Sequence, residues 1–131
     1  GLTWGAGGFV ADGGTFILGS AYSNANLLFK NAIDLGASNR VVKVNNGIVS
    51  GDVDGTLEGT LTGTGGMLSK TGNGTLSVLG NNTYTGGTAI YGGTLLVNNT
   101  SGSGTGTGDV FVASGARLGG NGTISGAVNV S

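Results

Sequence analysis

Apolar residues followed by turn-forming residues recur along the whole chain at an almost constant spacing. Successive steps differ by at most one position, and the series is Leu28, Val44, Leu61, Val78, Leu95, Val112 and Val128. A unit of this length cannot bury an apolar face alone, so neighbouring units must stack to complete a common core. The spacing predicts a solenoid of roughly six to eight rungs, each about 17 residues long.

Short alternating segments within the repeat indicate strands. Apolar residues lie two apart at Val42 and Val44, at Leu76 and Val78, and at Val110 and Val112. A spacing of two is typical of a strand with one buried face. Helical spacing is not sustained anywhere, and residues 24–35, which resemble a short helix, are predicted to form strands and turns. The sequence therefore predicts an all-β fold.

The turns have their own repeated chemistry. The chain contains 31 Gly and no Pro, and Gly tolerates backbone conformations that tight turns require. Asn pairs follow strands, at Asn45–Asn46, Asn81–Asn82 and Asn98–Asn99. We expect Asn side chains in successive turns to hydrogen-bond along the solenoid axis. The tripeptide Gly-Thr-Leu recurs with its last residue at Leu57, Leu61, Leu76 and Leu95, and the gaps from Leu57 to Leu76 and from Leu76 to Leu95 are equal.

Composition excludes several classes of function. The chain has no His and no Cys, which removes catalytic triads, the usual zinc sites and disulfides. Its five basic residues are scattered singly, so we expect no binding to nucleic acid or to an anionic membrane surface. No apolar stretch approaches the roughly 18 residues of a membrane-spanning helix, and no transmembrane segment is predicted in this chain.

A group of acidic residues at Asp52, Asp54 and Glu58 is the one candidate for carboxylate chemistry. Asp52 and Asp54 lie two apart and would share one face of a strand. The segment fails the EF-hand pattern because Leu57 occupies the position that requires Gly. We interpret it as a solvated turn with ordinary surface acids, and weak calcium binding stays open. No catalytic, cofactor-binding or metal-ligating residue and no cofactor are predicted, and the protein is not expected to be an enzyme.

Aromatic residues allow two interpretations. They are Trp4, Phe9, Phe16, Tyr22, Phe29, Tyr84, Tyr91 and Phe111. Core filling and turn packing account for most of them, whereas an exposed row would suit stacking on sugar rings. Tyr84 and Tyr91 are predicted in turns or at strand ends, where their exposure distinguishes the two interpretations.

Residues 65–99 read GGMLSKTGNGTLSVLGNNTYTGGTAIYGGTLLVNN. This segment resembles the passenger-associated transport repeat of bacterial autotransporters. The matching elements are Lys70, Gly72, Gly74–Leu76, Asn82–Thr88, Ile90 and Gly93–Leu95, with Met67 in place of the usual Leu. The resemblance implies a right-handed parallel β-helix in a secreted or cell-surface passenger domain. It also implies an outer-membrane translocator barrel as the partner during export.

The chain is predicted to form one β-helical segment over residues 1–131 that belongs to a larger surface protein. Residues 1–63 would form irregular rungs, residues 64–99 the passenger-associated repeat, and residues 100–131 further rungs. Two functions follow from the resemblance and the pattern. One is a rigid structural stalk that promotes export and presents adhesive regions. The alternative is a self-associating module for adhesion or biofilm, which forms homo-oligomers or filaments through rung edges or Thr/Asn faces.

Overall fold

A computed structural model describes residues 2–5, 8–10, 13–19, 26–47 and 52–131. These residues form fourteen short strands, β1 to β14, in three sheets. The first sheet contains β2 (Thr15–Leu18), β5 (Asn39–Val44), β8 (Met67–Thr71), β10 (Thr88–Ile90), β12 (Val110–Val112) and β14 (Val128–Val130). The second contains β3 (Leu27–Phe29), β6 (Gly55–Leu57), β9 (Thr75–Val78), β11 (Thr94–Val97) and β13 (Arg117–Gly119). The third contains β1 (Leu2–Thr3), β4 (Ile33–Asp34) and β7 (Leu61–Thr62).

Every strand pairing within these sheets is parallel. The chain visits the third, first and second sheets in turn, and each strand pairs with the strand one circuit later. This path is that of a solenoid, so the prediction of an all-β parallel β-helix is confirmed. Its right-handed winding and its rung number stay predictions.

The third side of the solenoid continues beyond β7 without regular strands. The Thr83 amide donates to the Leu61 carbonyl oxygen at 2.8 Å, and the Thr107 amide donates to that of Tyr84 at 3.2 Å. The Gly104 amide in turn donates to the Thr123 carbonyl oxygen at 2.9 Å. Hydrogen bonds between neighbouring rungs therefore persist on this side even where the backbone is irregular.

The predicted constant step between rungs is wrong. Aligned residues of neighbouring rungs are 18 apart from Phe111 to Asn129, 23 apart from Leu95 to Leu118 and 28 apart from Val41 to Ser69. The regular apolar series instead passes from one sheet to another, with Leu61 in the third sheet, Val78 and Leu95 in the second and Val112 in the first. The corner segments differ in length, and only the strands keep a common pattern.

The spacing between two of the Gly-Thr-Leu copies does match the register of the paired strands. Leu76 pairs with Leu95, the last residue of the next copy of the tripeptide. Leu57, however, pairs with Val78, so the equal gap from Leu57 to Leu76 ends two residues short of its register partner. The tripeptide therefore marks one true rung step, from Leu76 to Leu95, within residues 65–99.

The core lies on the inward faces of the strands, as the alternation predicted. Val42 and Val44 of β5 and Val110 and Val112 of β12 are all buried. Leu76 and Leu95 have no exposed surface and stack across adjacent rungs. Burying each such Leu side chain contributes about 2 kcal/mol relative to leaving it in water.

The first described rungs are filled by aromatic side chains. The rings of Trp4, Phe9, Phe16 and Phe29 form one cluster with centroid separations between 5.1 and 6.1 Å. Core filling is therefore confirmed for Trp4, Phe16 and Phe29, whereas Phe9 is 36% exposed. Tyr22 lies outside the described residues. The described part of residues 24–35 contains β3 and β4, while residues 24 and 25 lie outside it. No helix that could cross a membrane occurs in the described ranges.

Candidate functional site

Three polar side chains within residues 65–99 form hydrogen bonds between rungs, and we call them the interior polar set: Lys70, Asn82 and Asn99. Lys70 lies in β8, two residues after the buried Leu68, and therefore points into the solenoid. It has no exposed surface. Its ammonium donates hydrogen bonds to the carbonyl oxygens of Thr71 at 3.1 Å, Gly72 at 3.0 Å and Gly92 at 2.9 Å.

Three carbonyl acceptors satisfy all three N–H donors of the ammonium. Burial nevertheless lowers the pKa of Lys70 from 10.5 to about 8, while the nearby Asp54 carboxylate raises it. Lys70 is therefore mostly charged at neutral pH. Since Gly92 belongs to the next rung, the charged group ties two successive corners together.

Asp54 occupies the equivalent corner one rung earlier. Only 6% of its surface is exposed, and its carboxylate oxygens accept hydrogen bonds from the amides of Gly47 at 2.7 Å and Thr75 at 2.9 Å. The prediction of an ordinary surface acid is therefore wrong for Asp54, because the carboxylate supplies acceptors that the main chain lacks at this corner.

The three acidic residues differ in their exposure to solvent and do not form one carboxylate site. Asp52 is exposed, Glu58 is half-buried, and Asp54 is buried with both oxygens engaged. In the ranges that the structure describes, no group of three or more acidic side chains is placed to hold a metal ion. Weak calcium binding at these residues stays an open prediction.

Asn82 connects the rung before it with the rung after it. Its side-chain oxygen accepts a hydrogen bond from the Leu61 amide at 2.8 Å, and its side-chain nitrogen donates to the Gly104 carbonyl oxygen at 2.7 Å. Only 2% of its surface is exposed. The expected bonding of Asn side chains along the axis is found here, but the partners are main-chain groups rather than further Asn side chains.

Asn98 and Asn99 make similar bonds one rung later. The side-chain nitrogen of Asn98 donates to the Ser77 hydroxyl at 3.2 Å, and its oxygen accepts from the Asn121 amide at 3.0 Å. Asn99 accepts a bond from the Thr123 amide at 2.9 Å. Asn pairs after strands therefore bond both to the previous and to the following rung.

Tyr84 and Tyr91 have opposite environments. Tyr84 has no exposed surface, its hydroxyl hydrogen-bonds the Thr88 hydroxyl at 2.5 Å, and burial raises the pKa of its phenol. Tyr91 is 54% exposed and its ring lies 6.3 Å from that of Phe111, itself 40% exposed. Interior packing is confirmed for Tyr84, whereas Tyr91 and Phe111 form an exposed aromatic pair.

Comparison with known proteins gives one match in this region and one over most of the chain. The family model of the passenger-associated-transport-repeat matches residues 68–97. The chain is also similar to the adhesin BmaC autotransporter of Brucella suis biovar 1 (strain 1330), with 31% identity over 126 residues. This alignment covers 90% of the chain but 4% of the relative, so the chain spans a small part of the relative's length. No solved structure matches the chain.

The matched repeat contains Lys70, Asn82 and Tyr84 together with the corner glycines around them. These residues belong to the sequence elements by which residues 65–99 resemble the repeat. The resemblance to an autotransporter passenger segment is therefore confirmed.

Proposed function

We propose a structural role at the bacterial cell surface for this chain, which carries a passenger-associated-transport-repeat and resembles an autotransporter passenger segment. The segment serves as a rigid β-helical stalk that presents adhesive regions of a longer protein. It also promotes export of that protein through an outer-membrane translocator barrel. The role is not enzymatic.

The observation that carries this proposal is the bonding of the interior polar set across rungs. Lys70 bonds the main chain of the following rung, and Asn82 bonds the main chain on both sides. A buried group that lost these partners would cost about 1–3 kcal/mol. Each added rung is therefore stabilised by its predecessor, which makes the stack resist local opening.

The same arrangement supports a role in export. A chain that emerges as a thread can add one rung at a time, because each strand pairs with a strand of the neighbouring rung. The absence of Cys leaves no disulfide to form before the chain emerges. Burial of each new rung then favours outward movement over return.

The experiment compares Leu76→Ser with Leu79→Ser in this segment fused to a translocator barrel. Leu76 has no exposed surface, whereas Leu79 lies just beyond the same strand and is 38% exposed. We expect Leu76→Ser to reduce display at the cell surface and to leave passenger in the periplasm, and Leu79→Ser to be displayed normally. Equal display of both variants would contradict a role in export. The proposed stalk role would then be tested separately, by measuring the free energy of unfolding of the purified segment.

A further inference from the structure

A polar groove runs along the corner where the first sheet passes into the second. One part has a volume of about 300 Å³ and is lined by Asn46, Asn73, Thr94 and Arg117, among others. An adjoining part of about 290 Å³ shares Asn46 and Asn73 and extends to Lys43. The two parts form one continuous surface over several rungs.

The strand register fixes the floor of this groove. Thr75, Thr94 and Arg117 occupy one row across β9, β11 and β13. Lys43 lies on the other side of the corner, where it pairs with Thr71. Because parallel strands are about 4.8 Å apart, the three rung steps between Lys43 and Arg117 separate the two cations by about 14 Å along the solenoid axis.

Four polar side chains of the groove are available to a ligand, whereas that of Asn45 donates to the Gly19 carbonyl oxygen at 3.3 Å. Within the described part of the chain, the side chains of Asn46, Asn73, Thr94 and Arg117 make no hydrogen bond or ion pair. The side chains of Asn82 and Asn99 differ, since they are bonded to neighbouring rungs.

The charge of the groove is positive. Lys43 and Arg117 are two of the exposed basic residues of the described chain, and both line this surface. No described carboxylate lines either part of it. The nearby Asp54 is buried, and both its oxygens accept main-chain hydrogen bonds.

An exposed aromatic side chain lies beside the same corner. Tyr91 directly follows β10 and its amide donates to the Lys70 carbonyl oxygen at 2.9 Å, which places it next to the row of Lys43 and Thr71. It is 54% exposed and precedes the groove residue Gly93 by two positions. Aromatic faces pack against the apolar faces of sugar rings, while amides and hydroxyls bond sugar hydroxyls.

We propose that this corner groove binds an extended acidic oligosaccharide. Lys43 and Arg117 contact carboxylate or sulfate groups of the sugar chain. Asn46, Asn73 and Thr94 bond its hydroxyls, and Tyr91 packs against a ring. This binding activity is additional to the structural role and does not depend on it.

Calorimetric titration of the 131-residue chain tests the proposal with three probes: a heparin oligosaccharide for sulfate, an oligogalacturonate for carboxylate and a dextran oligosaccharide as the neutral control. We expect at least one acidic probe to bind about tenfold or more tightly than dextran, and to bind less tightly at high salt. Preference between the two acidic probes identifies the anionic group.

Matched variants locate the binding surface. Lys43→Gln with Arg117→Gln should weaken binding of the acidic probe by about tenfold or more, and Tyr91→Ser should weaken it as well. Lys30→Gln removes an exposed charge outside the groove and should leave the affinity unchanged. Circular dichroism establishes that each variant is folded. Failure to bind either acidic probe, equal affinity for dextran, or an equal loss with Lys30→Gln would overturn the proposal.

Discussion

The side-chain ammonium of Lys70 donates a hydrogen bond of 2.9 Å to the carbonyl oxygen of Gly92, one rung farther along the solenoid. Lys70 has no exposed surface, and its two other acceptors belong to its own corner. A buried charge is tolerated only where its hydrogen bonds are satisfied. The corner of one rung is thus completed by the main chain of the next.

Replacing Lys70 by Met should destabilise the fold. The apolar side chain has a similar length but leaves three partly buried carbonyl oxygens without their donor. We expect the free energy of unfolding to fall by about 1–3 kcal/mol in urea denaturation. Lys43→Met is the matched control, because Lys43 is exposed and its side chain makes no hydrogen bond within the described chain. A loss no larger than that of Lys43→Met would contradict the bonding role of Lys70.

The stability of the fold should depend on pH through Lys70. Burial lowers the pKa of Lys70 to about 8 in the folded chain, against 10.5 in the unfolded chain. Between these values the unfolded chain holds a proton that the folded chain has released, so raising the pH favours folding. The difference in unfolding free energy between the unaltered chain and Lys70→Met should therefore grow in favour of Lys70 as the pH rises above 8 toward 10.5. A constant difference over this range would show that the pKa of Lys70 is not lowered.

Asn82 and its neighbour Asn81 offer a second matched pair. Asn82→Ala removes the acceptor of the Leu61 amide and the donor to Gly104, both buried. We expect it to lower the free energy of unfolding by about 1–3 kcal/mol. Asn81→Ala, at an exposed position, should change it by less than about 0.5 kcal/mol. Similar effects in thermal or urea unfolding would argue against Asn82 as a link between rungs.

Gly93 is required at its position for space as well as for backbone conformation. Its φ is 62°, and an added Cβ would lie 2.6 Å from the Lys70 ammonium nitrogen and still closer to the Gly74 carbonyl oxygen. Gly115 also has a positive φ, 83°, but an added Cβ would meet nothing within 4 Å. Gly115→Ala should therefore cost about 1–2 kcal/mol of stability from backbone strain.

Gly93→Ala should cost about 1–3 kcal/mol more than Gly115→Ala, because it adds a steric clash to the same strain. Urea denaturation of the two variants side by side measures the difference. If both lose the same stability, the close approach of Lys70 and Gly74 to Gly93 does not exist in solution.

Strand pattern was predictable from the sequence, whereas rung length was not. Alternation at Val42 and Val44 or at Val110 and Val112 depends on local backbone geometry, and these residues are buried as predicted. The constant step failed because corner segments vary in length, so that Leu61 and Val78 belong to different sheets. Parallel register is set by contacts between distant residues, which spacing alone does not record.

Only part of the interior polar set could be predicted from the sequence. Lys70 follows Leu68 by two residues in a strand, and this spacing by itself places the ammonium on the buried face. Its carbonyl acceptors on Gly72 and Gly92 depend on how two corners stack, which only the structure shows. Asp54 was assigned to the surface because nothing local distinguishes it from Asp52, and its burial follows from the amides of Gly47 and Thr75 around it.

Successive rungs stack in parallel with a defined register, and a disulfide cross-link between two rungs tests that register directly. The chain has no Cys, and Phe111 pairs with Asn129 on the outward face of adjacent strands. Their separation of about 4.8 Å lies within the range that a disulfide can bridge. Mass spectrometry after mild oxidation should show the cross-link in Phe111→Cys with Asn129→Cys and none in Phe111→Cys with Val128→Cys. A cross-link in the second pair but not in the first would contradict the register and, with it, the stacking on which the proposed role depends.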